Sequence, residues 1–60
     1  PLTHVDLVTT DGAELTVTDE AILFPYLTRQ MVTLGSLVPG SRILVWTDAE
    51  GAVTRVMLFA

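Results

Sequence analysis

The sequence predicts an all-β domain: a small five-stranded barrel of the SH3-like or OB-like kind that contains two β-hairpins. Three observations predict it. Apolar and polar residues alternate at a period of two, glycine-containing turns separate the alternating segments, and no segment has the 3.6-residue period of a helix. Sixty residues are enough for one small domain only. We therefore expect residues 1–60 to form a single domain, and we expect it to be a fragment of a longer chain.

The first hairpin is predicted over residues 4–10 and 13–18. In both segments every second residue is apolar, as in Val5 and Leu7, and most of its neighbours are polar, which is typical of half-buried strands. Asp11-Gly12 stands between the two segments. Asp and Gly both tolerate the positive φ angles of tight hairpin turns, so this dipeptide predicts a two-residue turn.

The middle of the chain is less regular. Ile22–Phe24 favours a short strand that runs into an irregular loop, although a single helical turn within residues 19–29 stays open. Pro25 limits any such helix, because proline lacks the N–H that an inner turn needs. From Gln30 a period of two is predicted again, with Met31 and Thr33 facing one way and Val32 and Leu34 the other, as in an extended segment.

The second hairpin is predicted over residues 42–47 and 52–59. The segment between them, Asp48–Gly51, ends in a glycine where a hairpin loop needs the left-handed conformation. Unlike the first hairpin, this one is apolar on both faces. One set of residues is predicted to line the core: Ile43, Val45, Val56 and Leu58. The alternate set is then predicted to point outward as an apolar interface: Leu44, Trp46, Met57 and Phe59.

An outward apolar patch of this kind needs an explanation, because contiguous exposed apolar surface marks an interaction site or an aggregation liability. One interpretation is that the loop from Phe24 to Gln30 folds over the patch and completes a second small core. A second is that the patch docks on another copy of the domain or on a neighbouring domain of the parent chain. A third is a groove for a ligand, with Trp46 as its platform.

Few side chains are candidates for chemistry. His4 is the only imidazole and is expected to be solvated, and Ser36 and Ser41 have sequence contexts typical of turns. The acidic segment Asp48-Ala49-Glu50-Gly51 lacks the further ligands of a calcium loop. The chain contains no cysteine, which excludes a thiolate metal site and a thiol nucleophile. We predict no enzymatic activity, no catalytic or metal-binding residue and no cofactor.

Composition also restricts the partners. Three arginines and no lysine stand against seven acidic residues, for a net charge of −4. This balance argues against a nucleic-acid partner, since phosphate binding depends on clustered Lys and Arg. A membrane span takes about 20 consecutive apolar residues, and the apolar runs of this chain are far shorter, so no span is predicted.

A pattern of Leu-x-x-Gly-Ser, a strand, an Asp/Gly turn and a closing strand lies between Met31 and Phe59. The residues in these places are Leu37, Gly40, Ser41, Ile43, Asp48, Gly51, Val53 and Val56. In this the chain resembles small all-β accessory domains of exported bacterial surface-layer and cell-envelope proteins. The resemblance implies a non-enzymatic module, with Asp11-Gly12 in its opening hairpin. Polar outward positions of that pattern are occupied here by the apolar interface residues, which favours assembly.

We therefore predict a non-enzymatic structural or assembly module, which associates with itself as a homo-oligomer or with an adjacent domain of its parent protein. Association fits the small size, because short domains without disulfides or metals need an additional source of buried area. The alternative is a ligand-binding barrel that uses the Trp46 face for single-stranded nucleic acid, a peptide or a glycan. A location in the bacterial cell envelope is implied by the resemblance alone.

Overall fold

The computed structural model describes residues 1–59 and contains five strands and one short 3₁₀ turn. The elements are β1 (His4–Val8), β2 (Glu14–Thr18), β3 (Ile22–Pro25), the 3₁₀ turn Leu34–Ser36, β4 (Ile43–Thr47) and β5 (Val53–Leu58). The strands form two sheets, one of β1 and β2 and one in the order β3-β5-β4. The all-β class and the two antiparallel hairpins are confirmed.

The first hairpin closes with a three-residue loop, so the predicted two-residue turn is wrong. The N–H of Thr9 donates to the carbonyl of Ala13 over 2.9 Å, and the N–H of Gly12 donates to the carbonyl of Thr9 over 3.0 Å. Gly12 has a φ of +88°, whereas Asp11 stays in the ordinary region. A loop of this length needs one left-handed residue at its end, and glycine supplies it without a Cβ clash.

The second hairpin has the same closure, so its loop has three residues, 49–51, and the predicted four-residue loop Asp48–Gly51 is wrong. The N–H of Asp48 donates to Ala52 over 2.9 Å, and Gly51 has the predicted left-handed φ, +84°. The Oδ1 atom of Asp48 accepts hydrogen bonds from the N–H groups of Glu50 (2.9 Å) and Ala52 (3.0 Å). The acidic tip of this hairpin is thus part of its own turn, because an Asp side chain mimics a backbone acceptor two residues ahead.

β3 joins the second sheet by parallel pairing with β5, with Phe24 opposite Met57. The predicted short strand at Ile22–Phe24 is confirmed and extends to Pro25, and residues 19–29 contain no helical turn. The extended segment predicted from Gln30 to Leu34 forms no strand. Val32 and Leu34 are nevertheless buried, at 9% and 7% exposure, because the following 3₁₀ turn holds this irregular segment against the core.

The core lies between the two sheets. Val17 of β2 and Val56 of β5 are both 0% exposed, and Leu34 and Leu37 pack with them. The predicted inward set is confirmed: Val56 and Leu58 are buried, and Ile43 and Val45 pack against the core cluster as partly buried residues. With so few fully buried side chains, this core is small even for a short domain.

Truncating the centre of this core should be costly. Val17→Ala is expected to lower the free energy of unfolding by about 2 kcal/mol, because it removes two methyl groups and leaves a cavity. Val8→Ala in β1, where the valine is 76% exposed, should change that free energy by less than about 0.5 kcal/mol. Urea titration followed by far-UV circular dichroism compares the two, and equal losses would contradict the assigned core.

The first turn should also be visible in an acid titration. The Thr9 hydroxyl, and then the Ala13 N–H, hydrogen-bond the Asp11 carboxylate and hold its pKa below the ordinary value of 3.8. The folded state therefore binds this proton more weakly than the unfolded chain, and its stabilising contribution is lost as pH falls below 3.8. Thr9→Val should raise the pKa of Asp11 in an NMR titration; an unchanged pKa would refute the assigned cause.

Candidate interaction surface

The outward side of the three-stranded sheet forms a surface that we call the aromatic face. Residues paired across adjacent strands point to the same side of a sheet. The pairing therefore places side chains in three rows across β3, β5 and β4. The rows are Ile22–Arg55–Trp46, Phe24–Met57–Leu44 and, just beyond the strand ends, Tyr26–Phe59–Arg42.

Aromatic rings pack in pairs on this face. The ring centroids of Phe24 and Trp46 lie 5.8 Å apart, although the two residues belong to strands on opposite sides of β5. The rings of Tyr26 and Phe59 are 5.2 Å apart, and both pairs are tilted. Tilted rings at such distances attract through their quadrupoles in addition to the area they bury. The face is therefore an ordered side-chain layer.

Two arginines complete this layer. The guanidinium of Arg55 lies 5.7 Å from the ring centroid of Trp46, and that of Arg42 lies 5.8 Å from the centroid of Phe59. A guanidinium at this distance is attracted to the negative face of the ring. The long arginine stems cover part of the apolar surface while the charged groups reach solvent.

Much of the aromatic face stays open to solvent. Ile22 is 59% exposed, Leu44 48%, Tyr26 46% and Trp46 37%. Met57, at the centre of the face, is half-buried by its neighbours. The segment from Phe24 to Gln30 covers the patch in part: Phe24 packs on Trp46 and Tyr26 on Phe59. Leu44 and Trp46 stay exposed, so this segment does not complete a second core.

The distribution of charge and aromatic residues is uneven. All four aromatic residues of the chain and two of its three arginines lie on the aromatic face. None of the nine side chains in its three rows is acidic, although the chain has a net charge of −4. The acidic residues belong to the first hairpin, the turn after it and the tip of the second hairpin. The aromatic face is consequently apolar and locally positive on a negative domain.

The structure places the four predicted interface residues on this one face, opposite the core: Leu44, Trp46, Met57 and Phe59. Their role in an interface stays a prediction. The sequence interpretation considered Phe24 and Tyr26 only as part of a covering loop and missed Ile22. In the structure Ile22 and Phe24 of β3, with the following Tyr26, are themselves part of the face. The run from Ile22 to Phe24 is apolar throughout, so no polarity pattern showed which residues face outward, and none revealed the parallel pairing that brings them beside β5.

The remaining polar side chains are local in their contacts. The hydroxyls of Ser36 and Ser41 accept hydrogen bonds from the N–H groups of Thr33 (3.0 Å) and Val38 (3.1 Å), as expected of turn residues. His4 is exposed and lies 3.3 Å from the Thr3 hydroxyl. Among residues 1–59 no three potential metal ligands come together.

A groove of about 840 Å³ lies beside the aromatic face. One wall is β1 with the residues after it, up to Thr10, and the other runs from Leu37 to Ile43. Phe59 lies at its end. The groove separates the two sheets on the side where neither β1 nor β4 has a neighbouring strand.

No protein-family model, no curated protein and no solved structure matches this chain. Over residues 1–59, no helix has the length and apolar character needed to cross a membrane.

The ring packing gives a direct test of the described face. In a double-mutant cycle, Phe24→Leu and Trp46→Leu should show a coupling of about 0.5–1.5 kcal/mol in the free energy of unfolding. Urea titrations followed by far-UV circular dichroism measure it. Phe24→Leu combined with Phe59→Leu serves as the control, because those two rings are not paired. Coupling equal in both cycles would contradict the pairing.

Proposed function

We propose that this chain is a non-enzymatic assembly module whose aromatic face associates with a second copy of the domain or with a neighbouring domain of its parent protein. The observation that carries this proposal is the concentration of every aromatic residue on one exposed, non-acidic sheet face. Aromatic residues and arginine are the residue types enriched in protein interfaces. Solvated sheet faces of monomers are ordinarily polar.

The exposed area supports the same proposal. The domain has an accessible surface of 4572 Å². A folded monomer of 6.5 kDa is expected to expose about 3,800 Å² by the usual scaling of surface with mass. The excess, about 750 Å², is close to the roughly 800 Å² that each partner buries in a standard protein interface.

The small core points in the same direction. Among residues 1–59, Val17 and Val56 alone are fully buried. The same residues contain no disulfide and no cluster of metal ligands. Burying Leu44 and Trp46 against a partner would add apolar area at about 25 cal/mol per Å². Association would thus contribute stability that the isolated core does not.

The finer points of fold and origin are part of the proposal. The two sheets share one core and are open along the groove. This supports the proposal of a small SH3-like or OB-like barrel with a gap in its wall. The pattern from Leu37 to Val56 supports a place among accessory domains of bacterial cell-envelope proteins. A ligand-binding barrel is the second candidate, but guanidinium groups already lie against the rings of Trp46 and Phe59.

Association through the aromatic face is testable by analytical ultracentrifugation. The double variant Leu44→Ser/Trp46→Ser should weaken self-association at least about 100-fold, because central interface residues each contribute more than about 1.4 kcal/mol. Met31→Ser is the matched control: it replaces an apolar residue that is 82% exposed but lies outside the aromatic face and outside the groove. It should leave self-association unchanged.

Two results would contradict the proposal. A wild-type domain that stays monomeric up to about 1 mM would contradict association with a second copy, and only a neighbouring domain would be left as the partner. Equal binding of the apolar dye ANS by the wild type and by the double variant would show that the face is no apolar docking surface for any partner. A binding response of Trp46 fluorescence to an oligosaccharide, in a monomeric protein, would favour the second candidate.

A further inference from the structure

The two sheets have four strand edges without a neighbouring strand, and three of them carry a feature that prevents pairing. In an antiparallel pair only every second residue of a strand is hydrogen-bonded to its partner strand. The residues between them direct their backbone N–H and C=O groups to the other side, which on an edge strand is the free side; we call these the outward residues. From the bond between Thr9 and Ala13, the outward residues include Asp6 on β1 and Glu14 on β2. β3 ends in Pro25, which has no N–H. Charges and proline at such positions are the usual protection of an edge.

The edge of β4 has no such protection. The N–H of Phe59 donates to the carbonyl of Arg42, so Leu44 and Trp46 exchange bonds with β5. The backbone N–H and C=O groups that point to the open edge are then those of Ile43, Val45 and Thr47, although the side chains of Ile43 and Val45 face the core. None of these residues is charged, and the strand sequence Ile-Leu-Val-Trp-Thr has the β-branched and aromatic composition of a pairing segment.

From this unprotected edge we infer that β4 pairs with β4 of a second copy. The two strands run antiparallel about a two-fold axis at Val45, and their pairing joins two three-stranded sheets into one sheet of six strands. The inference deepens the proposed function and rests on it, because it names the second copy as the partner. This register overlaps all of β4. Each outward residue then uses its N–H and its C=O, with Val45 opposite Val45 and Ile43 opposite Thr47 of the second copy.

The same register completes the aromatic face. Leu44 comes to lie opposite Trp46 of the second copy, and the reverse pair follows by symmetry. These are the two face residues of β4 that remain 48% and 37% exposed. Aromatic and aliphatic side chains directly opposite each other stabilise a sheet, so the seam buries part of the exposed surface of Leu44 and Trp46. Ile22 and Tyr26, at the other side of the sheet, keep their exposure.

Charge complementarity favours this register as well. At the two ends of the seam, Arg42 lies opposite Asp48 of the second copy, and Asp48 lies opposite Arg42 of the second copy. Asp48 uses Oδ1 for its own turn, so Oδ2 is left for the guanidinium. By contrast, β1 paired with itself about Asp6 would place two carboxylates opposite each other, which disfavours that edge.

Space for the incoming strand is present. The groove of about 840 Å³ begins beside Arg42 and Ile43 and separates them from β1. The end of the incoming β4, at Thr47, would enter this groove. Val8 and Val38 border it and are 76% and 56% exposed, so the groove offers apolar contacts to the added strand.

Hydrogen exchange on the unmodified protein tests the pairing. The amides of Ile43, Val45 and Thr47 are expected to slow at least about tenfold between a dilute monomeric sample and a concentrated associated one. The amides of Glu14 and Thr16, on the free edge of β2 and outside the groove, should exchange equally fast in both. Fast exchange at Val45 in a sample shown to be associated would overturn the inference.

Edge variants give a second test. Val45→Pro removes an outward donor and should weaken association about 100-fold or more. Thr16→Pro is the matched control, because Thr16 occupies an outward position on the edge of β2. Should Val45→Pro fail to fold, Thr47→Lys replaces an exposed edge residue with a charge and should also abolish pairing. Association unchanged in Thr47→Lys would overturn the inference.

Further variants test the Arg42–Asp48 ion pairs and distinguish edge pairing from association through the aromatic face alone. Asp48→Asn keeps the turn acceptor and should weaken association by up to about tenfold at low salt, and less at high salt.

Loss of association in Leu44→Ser/Trp46→Ser with none in Thr47→Lys would leave the aromatic face as the interface and refute edge pairing. Association unaffected by either variant would refute both proposals.

Discussion

The constraint on which the structure depends is that β5 is apolar on both faces and occupies the centre of a three-stranded sheet. On one face Val56 is fully buried against β2, and Leu58 is 9% exposed. On the other face Arg55 and Met57 lie among the aromatic rings. One strand of six residues therefore supports both the core and the exposed face. A shift of one residue in its register would exchange the two environments.

The two sheets consequently differ in the surface they present. The hairpin of β1 and β2 has a polar outer face, where the Thr16 hydroxyl donates to Asp6 over 2.9 Å. The sheet of β3, β5 and β4 has an aromatic one. Since successive side chains of a strand point to opposite faces, the apolar residues of the second hairpin that alternate with the core residues remain on its outside. Surplus apolar surface follows from a high apolar content, 50%, in a chain of this size.

Local order in the domain comes largely from its turns. Both hairpins use a three-residue loop that ends in a left-handed glycine, and in both a polar side chain before the loop bonds the backbone after it. Such turns define which residues of each strand face outward, because they set the register of the hairpin. The register of the second hairpin also directs the backbone groups of Ile43, Val45 and Thr47 to the free edge of β4. Because none of these residues is charged, this edge is unprotected.

Much of this was determined by the sequence itself, because alternation and turn chemistry act between residues close along the chain. The two hairpins, the inward set around Val56 and the outward set from Leu44 to Phe59 all follow from a period of two. The two-residue turn was wrong, since loop length depends on packing. The period of two from Met31 to Leu34 is confirmed by the burial of Val32 and Leu34, although this segment forms no strand. The parallel pairing of β3 with β5, which adds Phe24 to the face, joins residues far apart in sequence. Only the tertiary structure decided it, because no local pattern encodes which distant edge a strand will meet.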